Sequence, residues 1–281
     1  MLKTSYHTHN RYCDGAGVVD DYAQAAVAAG LDALGISSHG PVTFPDDHSI
    51  VAENLPAYCA EVERARTAYA SRLRVHLSLE FEFIPEILDA LWALVSPYPF
   101  EYLIGSVHFV RTGRDGVPLP YDLSRDGFED ALKETFRGDP RALAGEYYAR
   151  VRAMVAWGRI RIVGHLDRIK MWNRDNRYFD EAEPWYRREI ESTLEACAAA
   201  GVIVELNTSG WRHDVRAPYP SPWIVTQCVE RRIPLTVTAD AHAPNRVASL
   251  YDEANAVLRE ARATEVSVLR DGRWVQEAYA P

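Results

Sequence analysis

Two histidines, His7 and His9, stand one residue apart in the stretch SYHTHNRYCDG, at the end of a short β-rich run. Residues i and i+2 of a strand point to the same side, so both imidazoles can hold one ion. Asp240 and His242, in TADAH, repeat that spacing. Between these pairs, further ligand-type residues close other β-rich runs: His39 in ISSHG, Glu80 and Glu82 in SLEFEF, His108 in GSVHF, His165 in IVGHLD and Asn207 in ELNTSG. Neutral imidazoles and carboxylates are the preferred ligands of zinc, manganese and non-haem iron. Six strand-end histidines and several carboxylates exceed the needs of one ion, so a cluster of two or three divalent metals is expected, with a carboxylate bridging them. Glu80 is the natural bridge, although Glu82 points the same way and spacing alone does not separate the two. Asp14 suits a ligand role better than its neighbour Cys13. His48 and His213 lie off the strand ends and His76 lies mid-strand, so these three are read as structural.

Such residues converge only if the strands run parallel and present their C-terminal ends to one rim. Seven short runs, most of them rich in Val, Ile and Leu, qualify: LKTSYHTH, ALGISSHG, RVHLSLEFEF, EYLIGSVHFV, IRIVGHLD, GVIVELNTSG and IPLTVTADAH. Helical patterns alternate with them. VVDDYAQAAVAAG should stop at Gly30. A second helix should start near Leu55, with Pro56 in its first turn. A third has Asp139 as N-cap and Pro140 at its first position. EPWYRREIESTLEACAAAG should end at Gly201, and NRVASLYDEANAVLREAR reads as the last helix. The pattern predicts one α/β domain over residues 1–281, a closed or nearly closed barrel with one strand fewer than the eight of a TIM barrel. An open doubly wound sheet is the alternative, but no GxGxxG or GxxxxGK[ST] supports a nucleotide fold. A small hairpin around Asp271-Gly272 is expected at about 264–279. The segment RTGRDGVPLPYDLSRDG, 111–127, reads as a long polar loop on the rim side.

Bulk properties narrow the partners. The 281 residues carry a formal net charge of −9, which argues against nucleic acid as a general ligand. No apolar run approaches a membrane span of roughly 18–20 residues, and the first residues lack the apolar core of a signal peptide. Four dispersed cysteines without a CxxC are expected to be free thiols in a reducing cytoplasm.

Taken in order, HTHNRYCDGAG, ISSHGP, SLEFEFIP, IGSVHF, GHLDRIK, ELNTSGWR…YPSP and TADAHAP resemble the motifs of the PHP (polymerase and histidinol phosphatase) superfamily, and within it the stand-alone histidinol-phosphate phosphatases. The resemblance spans about residues 4–262. It implies a distorted (β/α)7 barrel with a three-metal site. Matched motif by motif, His7, His9, Asp240 and a bridging Glu80 would hold one ion, Glu80, His108 and His165 a second, and Asp14, His39 and His242 a third. The family pattern selects Glu80 over Glu82, and places Asp14, Glu80 and His242 at the centre of catalysis. One departure is Ser38, where many relatives carry an acid before the second-motif histidine.

The implied activity is hydrolysis of L-histidinol phosphate to L-histidinol and phosphate, by direct attack of a metal-bound hydroxide. Outside the metals, Arg212 and Lys170 follow strand ends and are expected to bind phosphate, with Arg168 and Arg246 as weaker candidates. Tyr219, Glu82 and Asp167 are candidates for the amine and imidazole of the substrate. Three other readings compete: a PHP phosphoesterase for another small phosphomonoester or for nucleic-acid ends, a metal-binding protein without catalysis, and a serine nucleophile at Ser38 or Ser209. No GxSxG elbow surrounds either serine.

Overall fold

The computed structural model describes residues 2–112 and 118–279. Its strands are β1 (Thr4–Ser5), β2 (Ala33–Ile36), β3 (Arg74–Glu82), β4 (Tyr102–Ser106), β5 (Phe109–Thr112), β6 (Pro118–Pro120), β7 (Ile162–Val163), β8 (Ile203–Asn207), β9 (Leu235–Thr238), β10 (Glu265–Arg270) and β11 (Arg273–Ala278). Its α-helices are α1 (Val19–Ala28), α2 (Leu55–Tyr69), α3 (Leu88–Val95), α4 (Arg125–Asp130), α5 (Pro140–Trp157), α6 (Pro184–Ala200), α7 (Pro222–Glu230) and α8 (Tyr251–Glu260). Seven strands form one parallel sheet in the order β1-β2-β3-β4-β7-β8-β9. Beyond β1 and β9 the chain exchanges two backbone hydrogen bonds, His9 N to Ala241 O (2.9 Å) and Ala241 N to His7 O (3.3 Å). Those bonds nearly close the sheet into the expected barrel, and they do so at the ligand-bearing rim.

Local chemistry accounts for the helices that the sequence marks. Asp139 caps α5 by accepting from Arg141 N (2.9 Å), and Pro140 occupies its first position. Gly201 ends α6 in the left-handed region at φ 63°. The last helix starts later than expected: a short turn over Pro244–Arg246 and Leu250 at φ 61° precede Tyr251.

The barrel interior has two layers. Below, Tyr6, Ala33, Tyr102, Ile104, Ile162 and Ile203 form an apolar plug with Leu269 of β10, and Trp274 of β11 packs against it. The C-terminal hairpin therefore seals the end opposite the ligand rim. Leu269 N donates to the Tyr6 hydroxyl (2.8 Å), and the Tyr6 ring lies 4.9 Å from that of Trp274. Tyr102 Oη donates to Tyr6 O (2.6 Å) across Gly35, where any Cβ would sit 1.8 Å from that hydroxyl. Only glycine fits there. Residues such as Leu34, Leu79, Val163 and Leu206, on the outer side of the strands, join the larger core with the helices.

Three runs read as single strands are shorter or divided. Regular pairing of β1 stops at Ser5, and β7 spans two residues. EYLIGSVHFV divides at Val107-His108: β4 stays in the barrel, while β5 leaves it and pairs antiparallel with β6. The segment 111–127 is accordingly no plain loop. Its flanks form an antiparallel arm followed by α4, whose Ser124 cap accepts from Gly127 N (3.0 Å), and residues 113–117 lie outside the described part.

Candidate active site: a histidine and carboxylate cluster

Glu80, at the end of β3, is the hub of the rim. Its Oε2 lies 2.9 Å from His39 Nδ1, 3.2 Å from His7 Nε2 and 3.5 Å from His9 Nε2. Its Oε1 lies 2.9 Å from His165 Nε2 and 3.8 Å from His108 Nε2, and accepts from Ser106 Oγ. Asp240 faces the same space from the end of β9, with Oδ1 3.1 Å from His9 Nε2 and 3.5 Å from His242 Nδ1. Asp14 completes the open side, 3.3 Å from His242 Nε2 and 3.8 Å from His39 Nε2. All nine residues expected as ligands are thus brought together.

Three subsets have the closeness that a cation needs: His7, His9 and Asp240; His39, Glu80 and His108; and His9, Asp14, His39 and His242. The donor chemistry fits a cation better than it fits internal hydrogen bonding. His7 Nε2, His9 Nε2 and Glu80 Oε2 are buried and have no hydrogen-bond partner among the described residues, a costly state unless an ion takes their lone pairs. Burial, reinforced by His242 and His39, pushes His9 down to about 3, so it is the neutral imidazole a ligand must be. His108 goes the other way, to about 9: burial opposes its charge, but Glu82 and Asp122 outweigh it. That surplus of negative charge is what attracts a divalent cation.

Two carboxylates behind the cluster set which nitrogen faces inward. Glu205, fully buried on β8, accepts from His7 Nδ1 (2.7 Å), Thr238 Oγ1 (2.5 Å), His165 N (2.7 Å) and Asn207 Nδ2 (3.0 Å). Glu82 takes His108 Nδ1 (2.5 Å) and His108 N (2.8 Å). A carboxylate held ionised can only accept, so Nδ1 of His7 carries a proton and Nε2 is the nitrogen left to face a cation. Glu205 is a residue the sequence reading missed. Its signal was a lone acid inside the apolar run GVIVELN, two residues before Asn207 and on the same face.

The cluster floors a cleft of about 560 Å³ whose far walls include His48, Phe109, Asp122 and Arg168, and it continues into a second lobe bordered by Arg212, His213 and Arg246. Lys170 is not on this surface, which corrects its expected phosphate role. It is fully buried, with Nζ 2.8 Å from Asp167 Oδ2 and donating to Ser221 Oγ. The turn over Arg168–Lys170 folds the side chain back beneath the rim. Asp167, tied to Lys170 and to Ser221 N, and Glu82, tied to His108, are likewise committed. Tyr219 is buried below the second lobe, with its hydroxyl 3.2 Å from His213 Nδ1. Arg212 borders the lobe but gives Nη1 to Ser249 Oγ and Nη2 to the carbonyls of Ala239 and Asp240. Arg168, a weaker candidate from sequence, faces a cluster carboxylate from the cleft wall: Nε meets Asp122 Oδ2 at 2.5 Å and Nη1 lies 3.9 Å from Asp240 Oδ2.

A parallel seven-stranded barrel with this rim is the architecture of a barrel metallohydrolase. A PHP domain model matches residues 5–209, and the chain belongs to the PHP family. A Deinococcus radiodurans protein named "Probable histidinol-phosphatase" is 31% identical over 257 residues, covering 90% of this chain and 92% of its own. The histidinol-phosphatase of Bacillus subtilis is 24% identical over 270 residues, covering 90% of this chain and 98% of its own. The crystal structure of histidinol phosphate phosphatase from Lactococcus lactis, complexed with zinc, L-histidinol and phosphate, shares the fold at a TM-score of 0.74 and 19% identity, covering 98% of this chain and all of its own. No helix among the described residues is long and apolar enough to cross a membrane.

Proposed function

We propose that the protein hydrolyses L-histidinol phosphate to L-histidinol and phosphate, using two or three divalent cations drawn from zinc, iron and manganese. The observation that carries this reading is the convergence of six imidazoles and the carboxylates of Asp14, Glu80 and Asp240 on one rim, with buried ligand atoms left without a hydrogen-bond partner among the described residues. The names of the relatives support the choice of substrate. His7, His9, Asp240 and Glu80 would hold one cation, Glu80, His108 and His165 a second, and Asp14, His39 and His242 a third. Once bound, the cations supply Lewis-acid activation of water and positive charge for the phosphoryl oxygens.

The chain's own groups do the rest. Glu80 spans the buried subsites, while Asp14 and His242 stand at the water-facing edge. Arg168 offers its guanidinium to the phosphate from the cleft wall, and Arg212 adds charge while bracing the end of β9. Phosphoryl transfer asks mainly for this positioning and charge compensation. Ser209 donates its hydroxyl to Asp240 Oδ2 (3.1 Å) and so helps to orient that carboxylate. Four free cysteines support a reducing, cytoplasmic setting. The test is phosphate release from metal-loaded protein across L-histidinol phosphate, other small phosphomonoesters and an end-phosphorylated oligonucleotide. A strong preference for L-histidinol phosphate supports the proposal; equal turnover of the panel, or none at full metal loading, overturns it.

A further inference from the structure

The cleft has an end remote in chemistry from the cluster, built by two segments that cross its mouth. One is the β5–β6 arm, with Phe109, Pro120 and the exposed Leu123. The other is the connection between β2 and α2, which contributes Asp46, His48 and Ser49. The two segments touch through the rings of Phe44 and Phe109, 5.4 Å apart. The connection is pinned to the rim by Ile50 N donating to His39 O (3.0 Å), beside a cluster residue.

Among the carboxylates that line this cleft, each but one already has work. Asp14, Glu80 and Asp240 belong to the cluster, Glu82 holds His108, and Asp122 holds Arg168. Asp46 remains. It is mostly buried and has no Lys or Arg within ion-pair distance among the described residues; its ion-pair contact there is with the half-exposed His48 of its own turn, whose Nδ1 lies 3.6 Å from Oδ1. Oδ2 accepts from His48 N (3.2 Å), which fixes the direction of the carboxylate. A fixed acidic group beside an apolar wall, across from a phosphate-binding cluster, suits a ligand with a cation at one end, an apolar or aromatic body, and phosphate at the other.

Resting on the function proposed above, we propose that Asp46 is the specificity residue for the ammonium group of the substrate. Its carboxylate accepts from the primary ammonium, while the Phe109 and Leu123 wall covers the body of the leaving alcohol. An ammonium offers three donors and a full charge, so the contact is charge-assisted and is lost when the acid becomes an amide. The substrate class is thus phosphomonoesters of amino alcohols.

The test compares Asp46→Asn with the parent protein on L-histidinol phosphate and on its deaminated analogue, 3-(imidazol-4-yl)propyl phosphate. The readout is the ratio of kcat/KM for the two esters, with metal content and Tm checked on each sample. The ratio should fall about 10- to 100-fold in Asp46→Asn, as expected for one charged hydrogen bond. An unchanged ratio overturns the assignment. If the parent protein does not turn over L-histidinol phosphate but cleaves other esters, the substrate reading fails by itself. Asp46 is then read with phosphoethanolamine against ethyl phosphate: loss of an ammonium preference in Asp46→Asn keeps the inference, and an unchanged ratio removes it.

Discussion

Replacing Glu205 by Gln keeps volume and shape and changes one atom, an acceptor oxygen becoming an amino group. Both oxygens of Glu205 are doubly used: Oε1 takes His7 Nδ1 and Thr238 Oγ1, Oε2 takes His165 N and Asn207 Nδ2. Whichever way the amide turns, two buried donors lose their acceptor and face a donor instead. At about 1–3 kcal/mol for each orphaned donor, the expected loss is about 2–6 kcal/mol. If the amino group faces His7, the imidazole is also freed to move its proton to Nε2, the nitrogen the cation needs. Partners of this kind typically carry about 10- to 100-fold in metal affinity. The assay is metal per chain by elemental analysis after dialysis against graded chelator, with Tm measured on the stripped and loaded forms. We expect the chelator midpoint to shift by that factor and Tm to drop on the order of 10 °C. Wild-type metal retention with an unchanged Tm would refute the reasoning, because a buried four-donor carboxylate would then be contributing nothing.

Four other outcomes follow from the packing and charge. Gly35→Ala drives a Cβ into Tyr102 Oη and should cost about 3 kcal/mol in chemical denaturation, partly recovered in Gly35→Ala/Tyr102→Phe, where the clashing hydroxyl is gone. Lys170→Met leaves the Asp167 carboxylate buried without its cation and should cost about 3–5 kcal/mol; KM of the surviving folded enzyme should stay as in the parent, whereas a large rise in KM would restore Lys170 to the phosphate site. Arg168→Ala should raise KM at least tenfold with the metal content held, and an unchanged KM would remove it from substrate binding. Burial works to raise the Glu101 carboxyl, but His76, Leu77 N and Arg66 hold it below its usual range. Its stabilising share is therefore full above the unfolded carboxyl value near 4.3 and fades as pH falls through the lower folded value, so the deficit of Glu101→Gln at pH 7 should close in acid.

Much of the architecture is legible in the chain because local rules and the global fold agree. Asp139-Pro140 and Gly201 mark helix ends by chemistry that acts within a few residues, and the structure uses them so. The candidate ligand set was legible for another reason: imidazoles and acids recur at the ends of apolar runs, where burial without an ion would be costly. What stayed hidden depends on direction at the end of an element. Lys170 follows a strand end like Arg212 does, yet the turn after His165 carries it inward and leaves Arg168 facing the cleft. Nor could spacing show that His108 sits on a break where β4 stops and β5 departs, since the run of apolar residues continues across it.

The same logic explains why the polar rim survives inside a barrel. On β4 and β8 the change from apolar to polar interior takes two residues: Ile104 to Ser106 on β4, Ile203 to Glu205 on β8. Alternation keeps these pairs on one face, so a single step up the barrel passes from plug to cluster. The hairpin of β10 and β11 packs beneath this boundary with Leu269 and Trp274. A carboxylate layer placed directly above an apolar plug has few neighbours able to solvate it. Glu205 meets that demand with four protein donors, whereas Glu80 Oε2, His7 Nε2 and His9 Nε2 have no hydrogen-bond partner among the described residues. The layering thus divides the buried polar atoms into those the fold satisfies itself and those it reserves for cations, and the reserved atoms converge where the proposed chemistry requires charge.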